Sequence, residues 1–423
     1  MERVSKSIPR PLRPQPLFLA ATCLLLAGAL AQPVAAQTDP TAAPSDGLST
    51  TFLDDARKIV VGASVSGDSN FFRLPDVPAG TPSETISTAY ARLRIDKPYA
   101  QQRFFVEAAV TAYRYQRFSY LDFDGFDYRA AWYWHLTPRL SGTLSADRTQ
   151  TPTQFQDTIG IRSNVTTTET YAFTLDGQLF GGWHALLGAA QSIRTSEQSL
   201  LQGIPDYRES SGEAGIRYAF ASGSDVIAVQ RRVDGTQDSQ VVNNVVVVNT
   251  ENYSEDQSEL RGTWNASASS VLTGRVTYYD RRYDVFTQNN FSGTGGSLGY
   301  TWIPTGKLRV LLSATRSISP WQSLFANYRV SNELSITPTW QVAPRTTVYM
   351  SVGRRYDDFP QQSLAAVSPE RSDATTNAIL GVNWFPTRTL AVNLGVEYHE
   401  RTSNELLMEY ATNIARLSIS LGF

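Results

Sequence analysis

Cysteine and lysine are the scarce residues of this 423-residue chain: there is one cysteine, Cys23, and the lysines are Lys6, Lys58, Lys97 and Lys307. A lone cysteine excludes a disulfide framework and a Cys-ligated metal centre. Beyond residue 36 there is also no run approaching the roughly 18 apolar residues that a transmembrane helix needs. Histidine is nearly as rare. His135, His184 and His399 stand too far apart in sequence for any spacing typical of a metal site, so neither a metal nor a cofactor is expected. A net charge of −2 excludes the basic surface that nucleic acid requires.

Basic and apolar residues are ordered at the N-terminus. Arg3, Lys6, Arg10 and Arg13 precede an apolar run from Leu17 to Ala31, followed by the small-residue sites Ala29-Leu30-Ala31 and Val34-Ala35-Ala36. This order predicts a secretory signal peptide over residues 1–36, cleaved after Ala36 and taking Cys23 with it. Four basic residues and Glu2 leave with it, moving the charge balance from −2 to about −5. Residues 37–56 read as a polar periplasmic lead-in, and residues 57–423 as one domain.

That domain alternates. In Arg416-Leu417-Ser418-Ile419-Ser420-Leu421-Gly422-Phe423, Leu417, Ile419, Leu421 and Phe423 share one face of a strand and the polar residues the other. Similar faces recur in Phe104, Val106, Ala108 and Val110, in Leu308, Val310, Leu312 and Ala314, and in Leu390, Val392, Leu394 and Val396. Eighteen such strands are counted, beginning near Lys58, Ile86, Gln102, Phe126, Leu140, Thr170, Trp183, Gly212, Asp225, Ser258, Val271, Gly296, Leu308, Val330, Thr346, Asn377, Thr389 and Ala411. Tight Gly/Pro connections such as Asp96-Lys97-Pro98, Phe180-Gly181-Gly182 and Ile303-Pro304-Thr305-Gly306 alternate with long polar ones such as Asp68 to Glu84 and Asp234 to Asn252. Together they predict an all-β fold: a transmembrane, antiparallel, up-and-down outer-membrane barrel with short periplasmic turns and long extracellular loops. A secreted soluble sandwich is the rival.

Tryptophan separates the two. Trp134, Trp183, Trp264, Trp302, Trp340 and Trp384 lie beside proposed short turns and in the outward phase, as an interfacial girdle requires; a sandwich would scatter them through its core. Phe423 ends the chain as the closing strand of such a barrel does, where the barrel-assembly machinery reads a terminal aromatic residue.

Three stretches resemble the EpsL-type outer-membrane proteins encoded with exopolysaccharide synthesis operons, often those associated with exosortase and PEP-CTERM systems. They are Gly67-Asp68-Ser69-Asn70-Phe71-Phe72-Arg73-Leu74, Arg94 to Phe104, and Tyr128 to Pro138, all in the first third of the chain. The resemblance implies a barrel that helps a polysaccharide chain across the outer membrane, working beside periplasmic polysaccharide-export proteins and surrounded by outer-membrane lipid. It implies no catalytic residue.

The inward phase collects Arg92, Arg94, Arg103, Arg129, Arg217, Arg261, Arg275, Arg309 and Arg355, with Tyr113, Tyr133 and Tyr279. Arginine's planar fork pairs with carboxylates and stacks on rings, so these twelve are candidates for weak, exchangeable glycan contact. The alternative is an arginine–carboxylate network that braces the wall. Gly295-Gly296-Ser297-Leu298-Gly299 has the letters of a nucleophile elbow without its strand–turn–helix setting, Gly67-Asp68-Ser69 starts like a GDSL-type esterase with no α/β pattern after it, and Asp122 to Asp127 opens like a calcium loop without its closing acid. Val241 to Val248, an apolar run inside a long loop, reads as a hairpin above the membrane or an inward constriction. The expectation is a non-enzymatic conduit for an exopolysaccharide, with a general or sugar-specific porin as alternative and an outer-membrane hydrolase a distant third.

Overall fold

The computed structural model describes residues 58–75, 80–152, 155, 163–197, 206–238, 250–285, 287–321, 328–360, 370–405 and 407–423. The expected signal peptide, the lead-in and the Val241 to Val248 segment lie outside these residues. Eighteen strands follow one another: β1 Ile59–Asp68, β2 Glu84–Tyr99, β3 Gln102–Tyr115, β4 Phe123–Thr137, β5 Leu140–Pro152, β6 Val165–Phe180, β7 Trp183–Ser196, β8 Tyr207–Ala219 and β9 Asp225–Asp238, then β10 Thr250–Ser267, β11 Ser270–Tyr283, β12 Phe291–Thr305, β13 Leu308–Pro320, β14 Tyr328–Ala343, β15 Thr346–Phe359, β16 Arg371–Trp384, β17 Leu390–Ser403 and β18 Tyr410–Gly422. Each pairs antiparallel with its sequence neighbours, and β1 pairs with β18 from Val60↔Gly422 to Asp68↔Ile414, which closes the barrel. Closure leaves no sheet edge, so the backbone can cross a membrane fully paired.

Register carries the alternation round the whole ring. Phe104↔Trp132↔Leu144↔Phe173 is one outward row, and Leu380↔Val396 and Val61↔Leu421 belong to others. Trp183, Trp264, Trp302, Trp340 and Trp384 stand exposed on this face at the short-turn end, with Trp264 60% accessible. Trp134 shares the face but is only 8% accessible. It lies over Gly142, its register partner, where a Cβ would come within 2.3 Å of the indole, and it stacks on Phe173 at 6.3 Å. The same device recurs inside the barrel. Tyr90 covers Gly62, Tyr253 covers Gly235 and Tyr349 covers Gly381, each directly across the strand pair. Glycine has no side chain to pack, and a facing ring fills the gap.

Two kinds of boundary differ from the sequence reading. Strands starting at a short turn begin within a residue of the expected place, but those descending from a long loop start earlier: β10 at Thr250 instead of Ser258, β16 at Arg371 instead of Asn377, and β8 at Tyr207 instead of Gly212. Their outer face turns polar above the bilayer while the ladder continues, so apolar alternation marks only the membrane-spanning part. Asp96-Lys97-Pro98 is not a turn. β2 runs through it, pairing Pro98 with Arg103, and the reversal falls at Ala100, whose φ of 51° supplies the left-handed step. Proline at a strand's end costs little there.

Candidate functional site

With the outward face fixed, the twelve candidate residues all fall on the inner one: Arg92 and Arg94 on β2, Arg103 and Tyr113 on β3, Arg129 and Tyr133 on β4, Arg217 on β8, Arg261 on β10, Arg275 and Tyr279 on β11, Arg309 on β13 and Arg355 on β15. They share a wall, not one locus. Several are braces. Arg103 donates to both oxygens of Asp96 and lies 5.5 Å from the Tyr133 ring. Arg217 pairs with Asp176 at 2.6 Å beside His184, Arg261 with Glu259 at 2.8 Å, and Arg355 with Asp357 at 2.8 Å. Arg94 approaches Glu107 at 3.9 Å.

Arg129, Arg275 and Arg309 make no ion pair among the described residues. Arg275 stands directly across from Arg261, two cations in register, and its other neighbour is Ser297. Like charges directly opposite are unfavourable on a sheet face. The β12 inner face beside them is nearly bare: Gly293, Gly295, Ser297 and Gly299 project almost no side chain, and Tyr279 lies against Gly295. Arg129, between Glu107 and Asp147 in register, occupies the far arc of the wall.

At the extracellular end the inner face is filled. Phe71 and Phe72 turn in from the first loop and pack with Tyr115, Leu121 and Phe155 against Ile86, Tyr113 and Phe118. Tyr113 is therefore part of this cluster, stacked on Phe123 at 4.7 Å. Asn70 holds the inturned loop: its side-chain amide donates to the Leu74 and Ala411 carbonyls and its carbonyl oxygen accepts from the Leu74 N–H. Asp68 accepts from the Asn70 N–H, Thr412 and Arg73. The Gly67 to Leu74 motif thus seats the loop against the wall, and Ser69 bonds Thr412 and Asn413 in that work.

A belt of buried pairs continues round this end. Its arginines lie outside the twelve candidates because their outward neighbours, such as Asp280, Arg282, Glu400 and Thr402, are polar, so apolar alternation assigns them no face. Arg281 sits 4.2 Å from the Tyr253 ring and 2.5 Å from Glu255; Arg371 lies 4.3 Å from the Phe359 ring and 2.5 Å from Asp373; Arg401 covers Tyr410. The signal that could have found such pairs is i, i+2 spacing, which puts both charges on one strand face, as in Glu259/Arg261, Arg355/Asp357 and Arg371/Asp373.

The remaining motifs find no chemistry. Gly295 to Gly299 is straight β12 strand, and Asp122 follows the single turn Ser119–Leu121 into β4. His135, His184 and His399 lie on β4, β7 and β17, and no cluster of three metal-ligating residues occurs among the described residues.

No family model and no curated protein matches the chain. Solved structures do. OccK2 (OpdF) of Pseudomonas aeruginosa, crystallised in complex with glucuronate, aligns over 87% of this chain and 99% of its own at 11% identity, with a TM-score of 0.50. The fold is that of an outer-membrane β-barrel. The siderophore receptor PirA of the same organism aligns over 87% and 80% at 9% identity, with a TM-score of 0.43.

Proposed function

We propose that this barrel is an outer-membrane channel for an acidic sugar polymer and serves export of an exopolysaccharide. The observation that carries the reading is the Arg261–Arg275 pair: two cations in direct register on the inner face, one of them without a carboxylate among the described residues, beside the bare wall of β12. An anionic group between them would relieve their repulsion, and a polymer can slide where few side chains project. Arg129, which makes no ion pair among the described residues although Glu107 and Asp147 flank it in register, is a further cation on the far arc. Of the twelve candidates, Arg275, Arg129 and Arg309 are the ones free to exchange ligands; Arg103, Arg217 and Arg355 are committed to the wall.

Two further lines support a sugar acid. The EpsL-like stretches imply polysaccharide traffic, with periplasmic export proteins docking at the short turns and the assembly machinery reading the Phe423 strand. A barrel of the same fold, OccK2, was crystallised with glucuronate. Barrels of this strand number can hold an aqueous channel.

The test is single-channel conductance of the purified barrel in planar bilayers with a uronic-acid polymer, polygalacturonate, added on the short-turn side. Blockade by the polymer that needs about tenfold more of it in Arg129→Gln/Arg275→Gln would bear the reading out. A conductance that responds to monomeric glucuronate and not to the polymer would make the protein a small-solute porin instead.

A further inference from the structure

Outward-facing arginines are a liability on a lipid-facing wall, and this barrel neutralises most of its own. Arg114 pairs with Asp124, Arg148 with Glu169, Arg232 with Asp234 and Asp256, and Arg282 with Asp280. Arg316 on β13 and Arg354 on β15 have no carboxylate partner among the described residues. Arg316 donates to the Thr294 carbonyl and the Asn332 side-chain oxygen, and Arg354 lies 5.2 Å from the Tyr356 ring.

Both arginines line the upper end of a groove of about 910 Å³ in the outer wall. Register creates it. Gly262↔Gly274↔Leu298↔Ala314↔Leu334↔Arg354 is one cross-strand row, and Leu260↔Val276↔Gly296↔Arg316↔Asn332↔Tyr356 is the next. Gly262, Gly274, Gly296 and Ala314 form the floor, and Leu260, Val276, Leu298 and Leu334 stand up round it. The groove crosses from β9, at Val226, to β15. Six gaps of roughly 4.8 Å make it about 29 Å long, more than enough to seat one extended fatty acyl chain. Because strands tilt, it rises from the short-turn rim to the extracellular half. Arg316, eight residues along β13 from Leu308, lies roughly 20 Å above that rim, near the top of an apolar band about 25 Å tall.

The geometry points to a specific site for a phosphate-bearing lipid of the outer leaflet, one acyl chain lying in the groove and the phosphate held by Arg316 and Arg354. Charge decides the occupant: two cations at headgroup depth with no carboxylate beside them call for an anion, and phosphate takes arginine's fork in two hydrogen bonds. Gly274 is not glycine for want of room, since the nearest atom to a Cβ there is Leu298 Cδ1 at 3.8 Å. A side chain would fit, and would fill the groove.

Native mass spectrometry of the folded barrel in detergent, with bisphosphorylated lipid A added and diacylglycerol as the phosphate-free control, tests the site. The wild type is expected to retain one lipid A. Arg316→Gln/Arg354→Gln should lower retention about tenfold or more, and Gly274→Leu or Ala314→Leu should abolish it with both arginines in place. Heat-modifiable electrophoretic mobility confirms that each variant is folded before it is compared. Equal retention by the arginine variant, or equal retention of diacylglycerol by the wild type, overturns the proposal. So does a dimer that dissociates in Gly274→Leu, which would make the groove an interface between two copies.

Discussion

The Tyr349 ring occupies the space where Gly381 would carry a Cβ: that atom would fall 2.3 Å from the phenol's Cζ and hydroxyl. Tyr349 is 1% accessible as a result, although it projects from the inner wall of a barrel. β15 and β16 are thereby locked in one register, since a slip of one residue would set the ring against a side chain.

Gly381→Ala should therefore destabilise the barrel by about 1–3 kcal/mol, the usual cost of overpacking. In a Tyr349→Ala background the same change should cost nothing measurable, because the ring it collides with is gone. Urea unfolding in detergent micelles of the two single variants and the double variant measures this coupling.

Arg281 and Glu255 are buried together at 2.5 Å on the inner wall. Arg281→Met leaves Glu255, and Glu209 at 3.6 Å from the same guanidinium, uncompensated and should cost about 3–5 kcal/mol. Arg281→Met/Glu255→Met/Glu209→Gln, which removes all three charges, should recover most of that loss. If the single variant unfolds at the wild-type urea midpoint, water reaches the pair.

Trp264 and Trp134 occupy the same face but should answer differently to lipid. Trp264 is open to the bilayer, whereas Trp134 is covered by Gly142's strand and Phe173. In vesicles of brominated lipid, Trp264 emission should be strongly quenched and Trp134 emission only weakly, read from variants retaining one tryptophan. Trp134→Ala should also lower stability more than Trp264→Ala does, by about 1–2 kcal/mol, since it leaves a void over the glycine.

Asn70 fastens the first loop with three side-chain hydrogen bonds while itself almost fully buried. Asn70→Ala should release Phe71 and Phe72 from the mouth cluster. Protease should then cut the loop at least about tenfold faster, with the barrel below still resistant. Unchanged cleavage would mean that the aromatic cluster alone holds the loop.

The strand count, the closing strand and the outward or inward side of each residue in the spanning strands were legible in the chain alone. That information is local: a pleated backbone sends alternate residues to opposite faces, so Phe104 and Arg103 declare their sides without reference to any other strand. The tertiary structure decided which inward charges have partners. Arg217 and Arg275 look alike in sequence, yet Asp176 on β6 comes to one across β7, while Arg261 and Ser297 flank the other. The groove is of the same kind. Gly262, Gly274 and Ala314 share one row only once the registers of four strands, β10 to β13, are set.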